Sequence, residues 1–155
     1  MIDNNWTRNK PVPILMAEDD EDDRLLAQDA FIESKLSNPL FFVHDGEELL
    51  DYLYHRGRYV SLEQFPLPGL ILLDLNMPRK DGREALKEIK SDANLRRIPI
   101  VVLTTSKEEE DILRSYSLGV SSFITKPVTF EQLVEVIQCI GQYWFEIVAM
   151  PQKQF

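Results

Sequence analysis

Five short apolar runs, each followed by a stretch of helical length, leave this chain few folds to choose from. The runs are Ile14–Ala17, Leu40–Val43, Leu70–Leu73, Ile100–Leu103 and Ser122–Thr125. The first four are uninterrupted and suit strands buried on both faces, as in a parallel sheet. Alternation with helices predicts a doubly wound α/β sandwich, (βα) repeated five times with right-handed crossovers.

The helix starts support this reading. Asp45-x-x-Glu48, Asp81-x-x-Glu84, Ser106-x-x-Glu109 and Thr129-x-x-Gln132 have the form of capping boxes. In each, the first side chain accepts from a backbone N–H one turn on and the second reaches back. The first helix should open near Asp20–Asp23, where acidic residues suit the positive end of the helix dipole. Gly57 and Gly119 stand where C-terminal caps would fall. The long connection from Tyr54 to Pro68 reads as a surface elaboration held down by Tyr59 and Phe65.

Length and charge narrow the function. A chain of 155 residues suggests one domain with an adequate core. With 17 basic and 26 acidic residues, net −9, binding to nucleic-acid or membrane phosphates is disfavoured. No apolar run approaches the roughly 18 residues of a membrane span, and the polar start lacks a signal-peptide core. The single cysteine, Cys139, reads as an inert core thiol, and a cytoplasmic location is the default. Residues 1–11 form a polar leader, 12–148 one domain and 149–155 a tail, and no separate output domain is expected after Lys126.

The chemistry lies just after the strands. Glu18 and Asp19 follow the first, Asp74 the third, Thr104 the fourth and Lys126-Pro127 the fifth. In a doubly wound sheet these ends share one edge, so three carboxylates, a hydroxyl and an ammonium converge. Clustered carboxylates raise one another's pKa unless a cation sits among them. Oxygen-only ligands favour a hard ion, Mg²⁺ above all. The ammonium could pair with a carboxylate and then with a transferred anion, and the hydroxyl could donate to a phosphoryl oxygen. Singly, each residue has an ordinary reading, and most of Asp20–Asp23 reads as a solvated helix start. Their joint placement makes them a site.

Together these motifs resemble the response-regulator receiver domain of two-component signalling over about residues 12–140. They are Glu18-Asp19, Asp74-x-Asn76-Met-Pro78, Asp81-Gly82, Thr104 and Phe123-Ile-Thr-Lys126-Pro127. The resemblance implies a flavodoxin-like sheet of order 2-1-3-4-5 and a phosphoacceptor protein rather than an enzyme. It implies that Asp74 takes the phosphoryl group from a sensor histidine kinase or phosphotransfer protein. Mg²⁺ would be held by Asp19, Asp74, the backbone carbonyl of Asn76 and, through water, Glu18. Thr104 would sense the phosphoryl group, and Lys126 would pair with it across a bond resembling the family's cis Lys-Pro peptide. Phe123 would be the switch aromatic.

Three residues depart from the family's commoner pattern. Glu18 replaces an aspartate, lengthening the reach to metal. Phe123 replaces a frequent tyrosine and loses its hydroxyl. Thr105 stands where a small residue is usual, which would restrict access to the site.

Any output must come from the domain's own surface. In the last helix Leu133, Ile137, Ile140, Trp144 and Val148 form a stripe that one sheet face could bury. Val134, Val136, Tyr143, Phe145 and Ile147 widen it beyond a single packing face, which favours a homodimer. The Tyr54–Pro68 loop, Leu103-Thr-Thr-Ser106 and the tail Tyr143–Pro151 resemble the response regulators paired with phytochromes. That resemblance implies a light-regulated kinase and a dimer through the fourth helix, fifth strand and fifth helix. A haloacid-dehalogenase-type phosphatase would need an acid where Asn76 stands. A flavin module would need a phosphate loop where Glu18–Asp23 would repel it. A phosphorylation-independent interaction scaffold is the remaining alternative.

Overall fold

Each apolar run becomes a strand, and in the first four alternate residues feed two separate cores. The computed structural model describes residues 13–34, 38–61, 64–77, 79–80, 82–104, 122–126 and 129–147, with only the backbone of 122–123 and 139–147. The strands are β1 (Ile14–Ala17), β2 (Leu40–Val43), β3 (Leu70–Asp74), β4 (Ile100–Thr104) and β5 (Ser122–Thr125). The described helices are α1 (Glu21–Glu33), α2 (Gly46–Tyr54), α3 (Gly82–Ser91) and α4 (Phe130–Ile147). The helix predicted after Ser106 lies outside the described residues, so α4 is the fifth helix of the sequence reading.

All pairings are parallel, in the order β2-β1-β3-β4-β5. The order predicted from the resemblance is therefore the observed one. Ile14, Met16, Leu70, Leu72, Val101, Leu103 and Ile124 pack with Ala27, Ala30 and Phe31 of α1 and Leu133 and Ile137 of α4. Leu15, Ala17, Ile71, Leu73, Ile100 and Val102 face the other way, onto α2 and α3. The order in which strands are added reverses between β1 and β3, and such a switch point opens a crevice at the strands' carboxyl ends.

The caps form where both partners are described. Asp20 accepts from the N–H groups of Asp22 and Asp23, and Asp45 from that of Glu48. Thr129 and Gln132 bond reciprocally at 3.1 Å each. Glu48 departs from the predicted box by accepting from the N–H of His44 rather than that of Asp45. The boxes at Asp81 and Ser106, and the cap at Gly119, fall outside the described residues.

Gly57 does not cap α2. His55 takes the left-handed conformation instead, at φ 56°, and its N–H and that of Arg56 bond back to Tyr52 and Asp51. The ring compensates for the strain: its Nε2 lies 2.9 Å from the Phe65 carbonyl. Gly57, at φ 60°, opens the short 3-10 turn Gly57–Tyr59.

The following loop is held by aromatics. Tyr59 and Phe65 meet edge-on with ring centres 4.9 Å apart, and both pack on Tyr52. Tyr52 donates its hydroxyl to Pro66, and Tyr59 donates to Glu48.

In α4 the structure trims the apolar surplus. Leu133 and Ile137 are buried as the stripe predicts. Val134 and Val136, assigned to the surplus from sequence, are half-buried against the same core because the helix lies close along the sheet. The side chains of Cys139, Ile140, Tyr143, Trp144, Phe145 and Ile147, and residue Val148, lie outside the described residues.

Candidate functional site

Ladder hydrogen bonds carry the strands directly into the charged residues. The Glu18 N–H donates to Val43, that of Leu75 to Leu103, and that of Lys126 to Thr104. β3 and β4 each run one residue beyond their apolar runs, so Asp74 and Thr104 are strand residues in register with Leu103 and Thr125. Their positions are set by the sheet rather than by a loop.

Lys126 is the centre. Its Nζ lies 3.1 Å from Asp74 Oδ2, 3.1 Å from Glu18 Oε1 and 3.1 Å from Asp23 Oδ2. Glu18, Asp74 and Thr104 are buried, Asp19 is exposed, and Lys126 is 15% exposed. Carboxylate oxygens of Glu18, Asp19 and Asp74 fall within 4.8 Å of one another. Asp74 Oδ1 accepts from the Asn76 N–H at 2.9 Å, which orients the carboxylate. The Asn76 side chain turns away, its Oδ1 accepting from Arg83 at 3.3 Å.

The charges do not balance. Burial, then the hydrogen bond and charge of Asp74, push the Glu18 carboxyl up to about 8, against the pull of Lys126 and the Asp20 N–H. Burial opposes the charge on Lys126, but Glu18 and Asp74 outweigh it and hold its pKa above the ordinary lysine value. One ammonium among so many carboxylates leaves negative charge uncompensated. An all-oxygen donor set with an exposed member fits a hard divalent cation.

Glu18, Asp19, Asp74 and Lys126 are thus brought together as the sequence predicts, with Thr104 at the end of the adjacent strand. Of Phe123 only the backbone is described, paired with Val102. Pro78, Asp81, Thr105 and Pro127 lie outside the described residues.

Two residues join the site beyond those named from sequence. Asp23 is not a solvated helix residue but a partner of Lys126, because the first turn of α1 faces the crevice. Gly82 is required by close approach: a Cβ there would lie 2.4 Å from the carbonyl oxygen of Asp74 and 2.6 Å from the Leu75 Cα. Only an Asp-Gly pair shortly after the acidic strand end hinted at it.

Residues 14–138 match the family described as response regulator receiver domain. Response regulator Rcp1 of Synechocystis sp. is 43% identical over 143 residues, 92% of this chain and 95% of that protein. The crystal structure of the phosphorylated cyanobacterial phytochrome response regulator RcpA is similar at TM-score 0.75 and 43% identity, over 88% of this chain and 96% of that one. The Mn²⁺-bound form of Rcp1 is similar at TM-score 0.73 and 42% identity, over 88% and 96% of the two chains.

Proposed function

The chain belongs to the response regulator receiver domain family and is a two-component response regulator related to those of phytochromes; on that premise we propose that Asp74 accepts the phosphoryl group of a sensor histidine kinase, of phytochrome type, in a Mg²⁺-dependent transfer. The observation that carries the reading is the Lys126 ammonium 3.1 Å from Asp74 Oδ2, with the Glu18 and Asp19 carboxylates beside it.

The step is an in-line displacement. A carboxylate oxygen of Asp74 forms a bond to phosphorus while the bond to the kinase's histidine nitrogen breaks, and that nitrogen keeps the electron pair. The chain contributes position and charge. The Asn76 N–H holds Asp74 in one orientation, and Lys126, already at its carboxylate, is in place to pair with the added phosphoryl oxygens. Asp19, Asp74 and the Asn76 carbonyl would hold Mg²⁺, with Glu18 behind a water. When bound, the ion neutralises charge between phosphoryl oxygens and carboxylates. Thr104, at the end of β4, would bond the phosphoryl group, biasing a two-state arrangement of Phe123 and the helix predicted after Ser106.

The protein is a phosphoacceptor that takes part in its own chemistry rather than an enzyme acting on a separate substrate. Self-association through the fourth predicted helix, β5 and α4 belongs to the same reading. Tyr143, Phe145 and Ile147 support it, whereas Val134 and Val136 contribute less than their spacing suggests. Sedimentation with and without a phosphoryl analogue tests it, and a monomer in both states removes it.

Incubation with labelled acetyl phosphate and Mg²⁺ tests the acceptor. Wild type should take up label, and chelation or Asp74→Asn should abolish it. Label that persists in Asp74→Asn overturns the assignment.

A further inference from the structure

The loop that follows Asp74 is tied to a part of the molecule that the phosphoryl chemistry does not use. Arg79 is a non-glycine residue in the left-handed region, at φ 61°. Its Nη1 donates to Asp45 Oδ2 at 2.5 Å, across 34 positions of sequence. The Asp45 side chain is only 3% exposed, and its other oxygen caps α2 by accepting from the Glu48 N–H. Beside this pair the Gly46 N–H donates to the Lys80 carbonyl at 2.9 Å. Two contacts therefore bind the loop to the first turn of α2. A third closes it on itself, the Gly82 N–H donating to Leu75 at 3.1 Å.

Stability alone explains this poorly. The arginine is 71% exposed and the carboxylate 3%, so the attraction mainly offsets the cost of burying Asp45 rather than adding stability. Capping α2 needs one oxygen of Asp45, not both. Glycine would adopt the backbone conformation of residue 79 freely, whereas arginine holds it only where its surroundings over-determine it. What arginine adds is the guanidinium that reaches Asp45. The segment it restrains contains Asn76, whose N–H orients Asp74.

We propose that Arg79 and Asp45 are positioning residues for phosphoryl transfer: their ion pair fixes the loop of residues 75–82 so that Asn76 presents its backbone correctly to Asp74 and to the divalent cation. The inference rests on the acceptor reading above. Neither residue touches the reacting atoms. They act through the loop, as groups behind metal ligands do elsewhere.

The test uses the full chain with Arg79→Gly, Arg79→Lys, Asp45→Asn and the Asp45→Asn/Arg79→Gly double variant. Glycine keeps the left-handed backbone, and asparagine keeps the α2 cap. Four quantities are measured: Mg²⁺ affinity of the unphosphorylated protein by calorimetry, amide exchange across residues 75–82, labelling rate with acetyl phosphate, and the thermal melting midpoint. Arg79→Gly and Asp45→Asn should each weaken Mg²⁺ binding and slow labelling about three- to tenfold, below the roughly 10- to 100-fold loss for groups that bond a metal ligand directly. Exchange in 75–82 should rise while the melting midpoint moves little. The double variant should be no worse than either single one, and Arg79→Lys should recover most of the loss. Unchanged Mg²⁺ affinity and loop exchange in Arg79→Gly overturn the proposal, as do additive losses in the double variant. Wild type that takes no label sinks the acceptor reading instead, and the affinity and exchange measurements then still decide whether the pair positions the loop.

Discussion

The crevice around Lys126 and the aromatic strap over α2 both place polar groups in the protein interior, but on opposite terms. In the strap every bond is reciprocated by neutral or well-matched partners: Tyr52 donates to Pro66, Tyr59 to Glu48, and His55 lies against Phe65. Burial raises the Tyr52 pKa to about 12, so its phenol stays neutral, donating and comfortable at any ordinary pH. In the crevice, burial acts on carboxyls that outnumber the ammonium between them, and Glu18 is pushed up to about 8. The strap is built to be stable as it stands. The crevice is built to receive a further positive charge.

Phe65→Ala should have the largest effect and the most one-sided. It removes a half-buried ring from contact with Tyr52 and Tyr59 and should cost about 2–3 kcal/mol, less than the roughly 3–5 of a fully buried phenylalanine. Chemical denaturation measures the loss, and the labelling rate measured on folded protein should not change. A rate that falls with stability would erase the distinction between the regions.

Gly82→Ala is the complementary test at the crevice. Its Cβ would drive into the backbone of Asp74, 2.4 Å from the carbonyl oxygen, where no flexible side chain can yield. The expected cost is about 1–3 kcal/mol, typical of overpacking. Labelling should fall far more than stability, because the shifted atoms carry the acceptor.

The smallest effect is on pH dependence and separates the regions by sign. A carboxyl raised from 4.5 to about 8 contributes stability in full below pH 4.5 and loses it as pH climbs through 8. The metal-free protein should therefore weaken between these values, and Mg²⁺ should restore it. Glu18→Gln should flatten this slope and stabilise the metal-free form at pH 8 by on the order of 1 kcal/mol while weakening Mg²⁺ binding. The strap's own loss should begin only above about pH 10, as the unfolded chain's tyrosines ionise. Thermal melts across pH, with and without Mg²⁺, check both windows. A metal-free midpoint that is level from pH 5 to 8 contradicts the picture of the crevice.

Much of this is legible in the sequence alone. Ile14–Ala17, Leu70–Leu73 and Ile100–Leu103 announce strands because burial on both faces leaves no place for a polar residue in the run. The polar residues at their ends then stand out, which is why Glu18, Asp19, Asp74, Thr104 and Lys126 could be named as a group. The aromatic anchoring of the loop after α2 was readable for a similar reason, since Tyr59 and Phe65 need somewhere to be buried.

What escaped reading depends on contacts between distant segments. His55 takes the cap of α2 in place of Gly57 because its ring finds Phe65, ten positions on. Asp23 joins Lys126 across 103 positions, and Arg79 joins Asp45 across 34. Val134 and Val136 are half-buried because of how α4 lies on the sheet, which spacing alone does not specify. Periodicity and capping are local properties, so the order of strands and helices and the identity of the charged edge were determined by sequence alone. Pairing geometry is not local. Which carboxylates share one ammonium, and why residue 82 must be glycine, was decided only when the folded sheet brought the ends of β1, β3 and β5 within a few ångströms of one another.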